Sequence, residues 1–174
     1  VSILTGTGYV TQKFDSWGNF PLIFFLILMF IGGCAGSTAC GIKIFRVQIL
    51  YLFLINHLKK IIYPRGIFVI KYGNSNVDDK FMSSIISFIY LYIIIFFLIT
   101  TLLSLTGLDF VTSISGAATS ISNVGPGLGE FIGPNGNFSQ LPGASKWILS
   151  VGMILGRLEL FAILVLFIPS FWQR

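Results

Sequence analysis

Thr119-Ser120-Ile121-Ser122-Asn123-Val124-Gly125-Pro126-Gly127-Leu128-Gly129-Glu130 is the stretch on which the reading of this chain turns. It lies between strongly apolar segments, yet Gly, Ser, Asn and one Pro dominate it. A helix does not continue through Gly125-Pro126-Gly127: proline lacks a donor and crowds the preceding turn, and glycine loses the most backbone freedom. Upstream, residues 109–122 are about long enough, at roughly 1.5 Å per residue, for a helix that enters a bilayer only halfway. Irregular backbone at membrane depth survives only where protein buries it or where it lines a water-filled path. A short helix followed by such a loop, between two spanning helices, is the layout of an ion-selectivity filter. The expectation is a cation pathway lined by the backbone carbonyls of Ser122, Asn123, Val124 and Gly125.

Composition sets the solvent. Of 174 residues, 55% are hydrophobic and only 10% charged, and the mean hydropathy is +0.89. Too few charges remain to cover a soluble domain, so the class is all-α integral membrane protein. Cys34 and Cys40 lie in apolar surroundings with no CxxC and no nearby His, which argues against a disulfide framework or a zinc site. His57 is the single histidine and cannot build a metal cluster alone. No nucleophile–base set is visible, so neither an enzyme nor a bound cofactor is expected. The run from Gly36 to Lys43 loosely suggests a phosphate loop, but Ile42 separates Gly41 from Lys43, and Ile44 stands where Ser or Thr is needed.

Seven of the eleven basic residues fall between Lys43 and Lys80. A basic segment between apolar ones is the positive-inside signal, and it meets anionic membrane lipid heads without needing nucleic acid. The segment 59–80 is therefore placed in the cytoplasm, both Gly-rich loops outside, and the C-terminus at Arg174 inside.

Taken in order, residues 2–9 read as a small, polar, Gly-rich loop. An inner helix over 20–58 looks broken at Gly32-Gly33-Cys34-Ala35-Gly36-Ser37-Thr38-Ala39-Cys40-Gly41, where small residues permit close approach and bending. The cytoplasmic loop 59–80 precedes an outer helix over 82–106 that lacks charge and proline. Asp109 is a plausible N-cap for the half-helix 109–122, the filter spans 122–127, and a last helix covers 144–171 with an interruption at Gly156-Arg157-Leu158-Glu159.

The two halves repeat one plan: filter loop, outer link, inner helix. Thr5-Gly6-Thr7-Gly8 occupies the position that Ser122-Asn123-Val124-Gly125 holds in the second copy. The first copy opens without a preceding helix, and Val1 is not an initiator Met, so further copies are expected from more of the same polypeptide. Two loops cannot ring an ion.

Four motifs in this order carry a family resemblance: Gly32–Ala39, Thr106-Gly107-Leu108-Asp109-Phe110, Asn123–Glu130, and Gly156-Arg157-Leu158-Glu159. With them the chain resembles the C-terminal half of the membrane subunit of bacterial Trk-type potassium-uptake systems, in the Trk/Ktr/HKT superfamily. That resemblance implies helix, pore-helix, helix repeats around a central pore, with residues 1–58 ending a third repeat and 81–174 forming the fourth. It also implies K+ as transported ion, a bacterial inner-membrane location, a homodimer, and a cytosolic nucleotide-binding regulatory subunit. Gly6 departs from the pattern, where Thr is more usual, and Cys40 sits inside the Gly-rich break.

Potassium sheds water to pass a narrow filter and takes carbonyl oxygens in its place; Gly8 and Gly125 allow the backbone angles this needs. The break supplies a candidate gate of Gly32, Gly33, Gly36, Ser37, Thr38 and Gly41, completed by Arg157. An ionisable residue within a spanning helix faces a pore or a partner, so Arg157 is expected to meet the break and raise a barrier to cations. Two other classes compete. A symporter with broken helices calls for inverted repeats, whereas these halves run in the same direction. A non-conducting structural subunit has no need of a Gly-Pro-Gly loop behind a half-helix.

Overall fold

A computed structural model describes residues 2–9, 17–34, 36–37, 40–66, 68–72, 75–129, 131–133, 136–158, 165 and 169–172. Its helices are α1 (Ser2–Thr5), α2 (Asn19–Phe30), α3 (Ile44–Ile62), α4 (Asp79–Leu105), α5 (Phe110–Ser122), α6 (Gly143–Arg157) and α7 (Pro169–Trp172). A two-residue hairpin, β1 (Lys71–Tyr72) with β2 (Ser75–Asn76), is the only extended pairing besides a single bridge between Ile31 and Ile42, among the described residues.

Helix α4 is long and apolar enough to cross a membrane. Residues 80–105 are strongly apolar after Lys80, and at roughly 1.5 Å per residue the helix outreaches a hydrocarbon core of about 30 Å. Its apolar residues run all round, but Phe88, Tyr92, Ile95, Ile99 and Leu103 recur every three or four positions and are buried. That stripe packs on Ala117 and Ile121 of α5 and Leu149 of α6. Tyr90, Ile93, Phe97 and Leu98 on the other faces are exposed.

Helix α5 sits against α2, α4 and α6. It is polar yet buried from Thr112 to Ser122, except for half-buried Ile114. Asp109 caps it as expected, its carboxylate accepting from Thr112 N at 3.2 Å. Asp109→Ala should lower stability by about 1 kcal/mol, seen as a lower thermal unfolding midpoint of the purified protein in detergent.

Several expected boundaries move. Residues 2–5 are a helical turn, not loop. The broken inner helix becomes Asn19–Phe30 and Ile44–Ile62, so Lys59 and Lys60 sit on the last turn of α3, where positive charge suits the helix C-terminus. The basic loop thus starts past Ile62 and ends where α4 begins. The last helix is described from Gly143 to Arg157; of the expected continuation to Phe171, 159–164 and 166–168 lie outside the described residues.

Arg46 ties α3 to α4: its guanidinium carbon stands 3.8 Å from the Phe88 ring centroid, a cation–π contact. Phe30 of α2 meets Tyr92 and Phe96 of α4 edge-on, with centroids 6.1 and 5.1 Å apart.

Candidate filter and gate

Both loops leave their helices by the same cap. After α1, Thr7 N donates to Ser2 O at 3.1 Å and Gly6 N to Ile3 O at 3.3 Å. After α5, Val124 N donates to Thr119 O at 3.2 Å and Asn123 N to Ser120 O at 3.4 Å. This crossed pair is a Schellman motif, which needs a left-handed residue just past the helix. Gly6 (φ +69°) and Asn123 (φ +51°) fill that position. Two residues on, Gly8 (φ +72°) and Gly125 (φ +108°) are positive again. Thr7 and Val124, between them, are not. Alternating the sign of φ turns successive carbonyls toward one side, whereas an extended strand would alternate them.

A β-branched Thr is a strong outlier at positive φ, whereas Gly, like the Asn of the other copy, suits the cap.

The two loops also touch. An added Cβ on Gly8 would lie 2.7 Å from Val124 O, 3.1 Å from Pro126 Cδ and 3.7 Å from Gly125 Cα. On Gly6 it would lie 3.8 Å from Asn123 O. The residues picked for the filter, Thr5, Gly6, Thr7, Gly8, Ser122, Asn123, Val124 and Gly125, therefore form two adjacent strips, from residues more than a hundred positions apart in sequence.

Helix α5 supplies the scaffold for the second strip. Thr119 Oγ1 accepts from Gly125 N at 3.0 Å. Ser115 Oγ exchanges hydrogen bonds with Leu128 N and Leu128 O, each at 3.0 Å. Tyr92 Oη and Ser122 Oγ are 2.8 Å apart in the core. Asn123 Nδ2 donates to Met153 O of α6 at 3.0 Å. Thr119, Ser115 and Tyr92 were not singled out from the sequence. A signal existed: hydroxyls at 115, 119 and 122 share one helical face, and most buried hydroxyls find a partner.

The Gly-rich break is a loop pinched at its base. Gly32 N donates to Ile42 O and Ile42 N to Phe30 O, both at 2.9 Å, and Ile44 N donates to Gly33 O at 3.2 Å. Gly32 is buried, with the Cys40 carbonyl where a Cβ would go; Gly33 and Gly41 are half-buried, and Gly36 and Ser37 are exposed. Thr38 lies outside the described residues. Arg157, at the end of α6, points its Nη1 at Cys40 Sγ, 3.5 Å away. The structure thus brings Arg157 to the break, and the contact falls on a residue not counted in the gate.

Buried hydroxyl-bearing half-helix, twice-repeated cap and alternating φ define a class: an all-α membrane protein with re-entrant helix–loop units. The chain belongs to the TrkH family of cation transport proteins, whose pattern it matches over residues 1–174. It is 46% identical to the Trk system potassium uptake protein TrkI of Halomonas elongata over 174 residues, which is all of this chain and 35% of that protein. It is 34% identical to the Trk system potassium uptake protein TrkH of Escherichia coli over 174 residues, again 35% of the relative. The crystal structure of the potassium transporter TrkH from Vibrio parahaemolyticus superposes with a TM-score of 0.89 at 37% identity, covering 99% of this chain and 36% of that one. The chain thus spans about a third of the length of the relatives it matches.

Proposed function

We propose that this chain forms part of a potassium-uptake pore, with Thr5–Gly8 and Ser122–Gly125 contributing two of the carbonyl strips that select the ion. The observation that carries the reading is the shared Schellman cap followed by the same alternation of φ sign, in two loops packed glycine to glycine. Such a backbone offers a dehydrated cation a row of oxygens in place of its water. Two strips leave the ring open, so the remaining repeats come from further sequence of the same polypeptide, with 1–58 closing the third repeat and 81–174 making the fourth. Potassium is cargo rather than cofactor. The relatives named as Trk system potassium uptake proteins support that assignment.

The gate in this reading is the pinched loop 32–41 with Arg157 against it. Its tip is exposed at Gly36 and Ser37, and its base is paired through Gly32, Ile42 and Ile44. A fixed guanidinium beside the path raises the energy of a passing cation. The protein works in a bacterial inner membrane, as a homodimer with a cytosolic nucleotide-binding subunit, its C-terminus and the basic segment facing the cytoplasm.

The direct test is rubidium uptake by cells lacking their own potassium uptake, comparing the full-length protein with its Gly125→Ser variant. A side chain at φ +108° is strained even though nothing nearer than Gly8 Cα, at 3.7 Å, crowds it. Loss of uptake at equal membrane expression, or a gain of sodium entry, is expected. Unchanged rate and selectivity would make the loop a packing feature and put the pore elsewhere.

A further inference from the structure

We propose that the end of α3 and the segment after it bind an anionic glycerophospholipid by its phosphate. Two cavities of about 460 and 530 Å³ open there. Asn56, His57 and Lys60 line the first, Tyr63 and Arg65 the second, and Phe68 forms a wall of both. His57 lies nearly parallel to Phe53, their centroids 6.1 Å apart and their planes at 21°. This contact leaves both imidazole nitrogens at the ring edge to hydrogen-bond.

Basic residues outnumber acidic ones over 59–80: Lys59, Lys60, Arg65, Lys71 and Lys80 stand against Asp78 and Asp79, which follow Val77 in the wall of the first cavity. Lys59, Lys60 and Arg65 have no ion-pair partner among the described residues. Between Asp15 and Asp78 the sequence holds no acidic residue at all. An anion with several acceptor oxygens completes such a set, and phosphate is the fit for ammonium and guanidinium donors together.

What surrounds the cavities selects a lipid over a soluble anion. Ile61, Ile62, Tyr63 and Val69 are 64, 68, 64 and 54% exposed. Apolar and aromatic side chains ringing a basic cavity are placed for the interfacial zone of a bilayer. A free phosphate leaves them uncovered, whereas the glycerol and first acyl carbons of a lipid cover them. The proposal is independent of which ion the protein carries.

The test uses the full-length protein, purified in detergent and incubated with dioleoylphosphatidylglycerol or dioleoylphosphatidylcholine, with retained lipid counted by native mass spectrometry. Phosphatidylglycerol should be retained over phosphatidylcholine. Lys60→Gln should weaken it about fivefold, the worth of one basic residue at an anionic surface. Lys60→Gln with Arg65→Gln should weaken it further. Lys146→Gln, which removes equal charge from the far α6 start, should leave retention unchanged. Equal retention of the two lipids, or a Lys60→Gln variant that binds like the parent, overturns the proposal. Displacement of phosphatidylglycerol by millimolar inorganic phosphate also overturns it, assigning the cavity to a soluble anion.

Discussion

Gly8→Ala in the full-length protein is expected to cut rubidium uptake by at least about tenfold at equal membrane expression. Two penalties coincide at this position. The backbone holds φ at +72°, and an L-residue there costs roughly 1–2 kcal/mol. The new methyl would also meet the Val124 carbonyl at 2.7 Å and Pro126 Cδ at 3.1 Å. Neither neighbour is the yielding tip of a flexible side chain. One is backbone of the facing strip, and the other is a ring carbon locked beside Gly125. Relief therefore requires one strip to slide against the other, which moves carbonyls on both. A displacement worth about 1.4 kcal/mol at the ion already gives a tenfold loss. Gly125→Ser meets only the strain and not the crowding, so Gly8→Ala should be the more severe of the two. Rubidium uptake and the rubidium-to-sodium ratio, measured for both variants side by side, check the order. A Gly8→Ala protein with unchanged flux and selectivity would separate residues 5–8 from the ion path.

The parts of this arrangement visible in the sequence are those where chemistry forces a residue type. Gly-Pro-Gly ends a helix whatever surrounds it, so the stop after Ser122 could be read directly. Asp109 announces a helix start because a carboxylate is among the few groups that satisfy the first free N–H groups. The correspondence of residues 5–8 with 122–125 was legible from small and polar residues in the same order. Its physical content was not: Asn123 and Gly6 look unalike until both are seen in the left-handed cap position. The turn at Ser2–Thr5 was hidden because Ser, Thr and Gly favour loops, whereas here two threonine hydroxyls close the turn. Thr5 Oγ1 and Thr7 Oγ1 both reach Ser2 O, at 3.3 and 3.5 Å. The extension of α3 through Lys59 and Lys60 was missed because clustered lysines read as loop when charge is weighed before propensity, although both are good helix formers.

What sequence order could not reveal is which small residues are small because something presses on them. In α6, Gly143, Gly152 and Gly156 look equivalent, yet their surroundings differ. An added Cβ on Gly143 meets nothing within 4 Å. On Gly152 it meets Ser120 Oγ at 2.8 Å, Ile99 Cδ1 at 3.0 Å and Ser120 Cβ at 3.3 Å, all side-chain atoms. On Gly156 it would overlap the carbonyl of Ile121, which is backbone, and stand 3.0 Å from Asn123 Nδ2.

Gly156→Ala should accordingly be among the most damaging single-methyl additions in the chain. The Ile121 carbonyl belongs to the last turn of α5, immediately before the strip that starts at Ser122, so α6 and the filter scaffold cannot both keep their places. Separation also pulls Met153 O away from Asn123 Nδ2, now 3.0 Å apart, and moves Arg157 relative to Cys40. Overpacking at a tight contact typically costs about 1–3 kcal/mol, and loss of the buried amide bond adds roughly 1 kcal/mol. The expected result is a fall in thermal unfolding midpoint of the purified full-length protein, together with loss of rubidium uptake. Gly152→Ala should show a smaller fall, because the added methyl meets side-chain atoms at 2.8 Å and beyond rather than overlapping backbone. Gly143→Ala should be neutral. If all three variants behaved alike, the closeness of α6 to the end of α5 would not be what sets the filter, and the ranking drawn from the three glycines would fail with it.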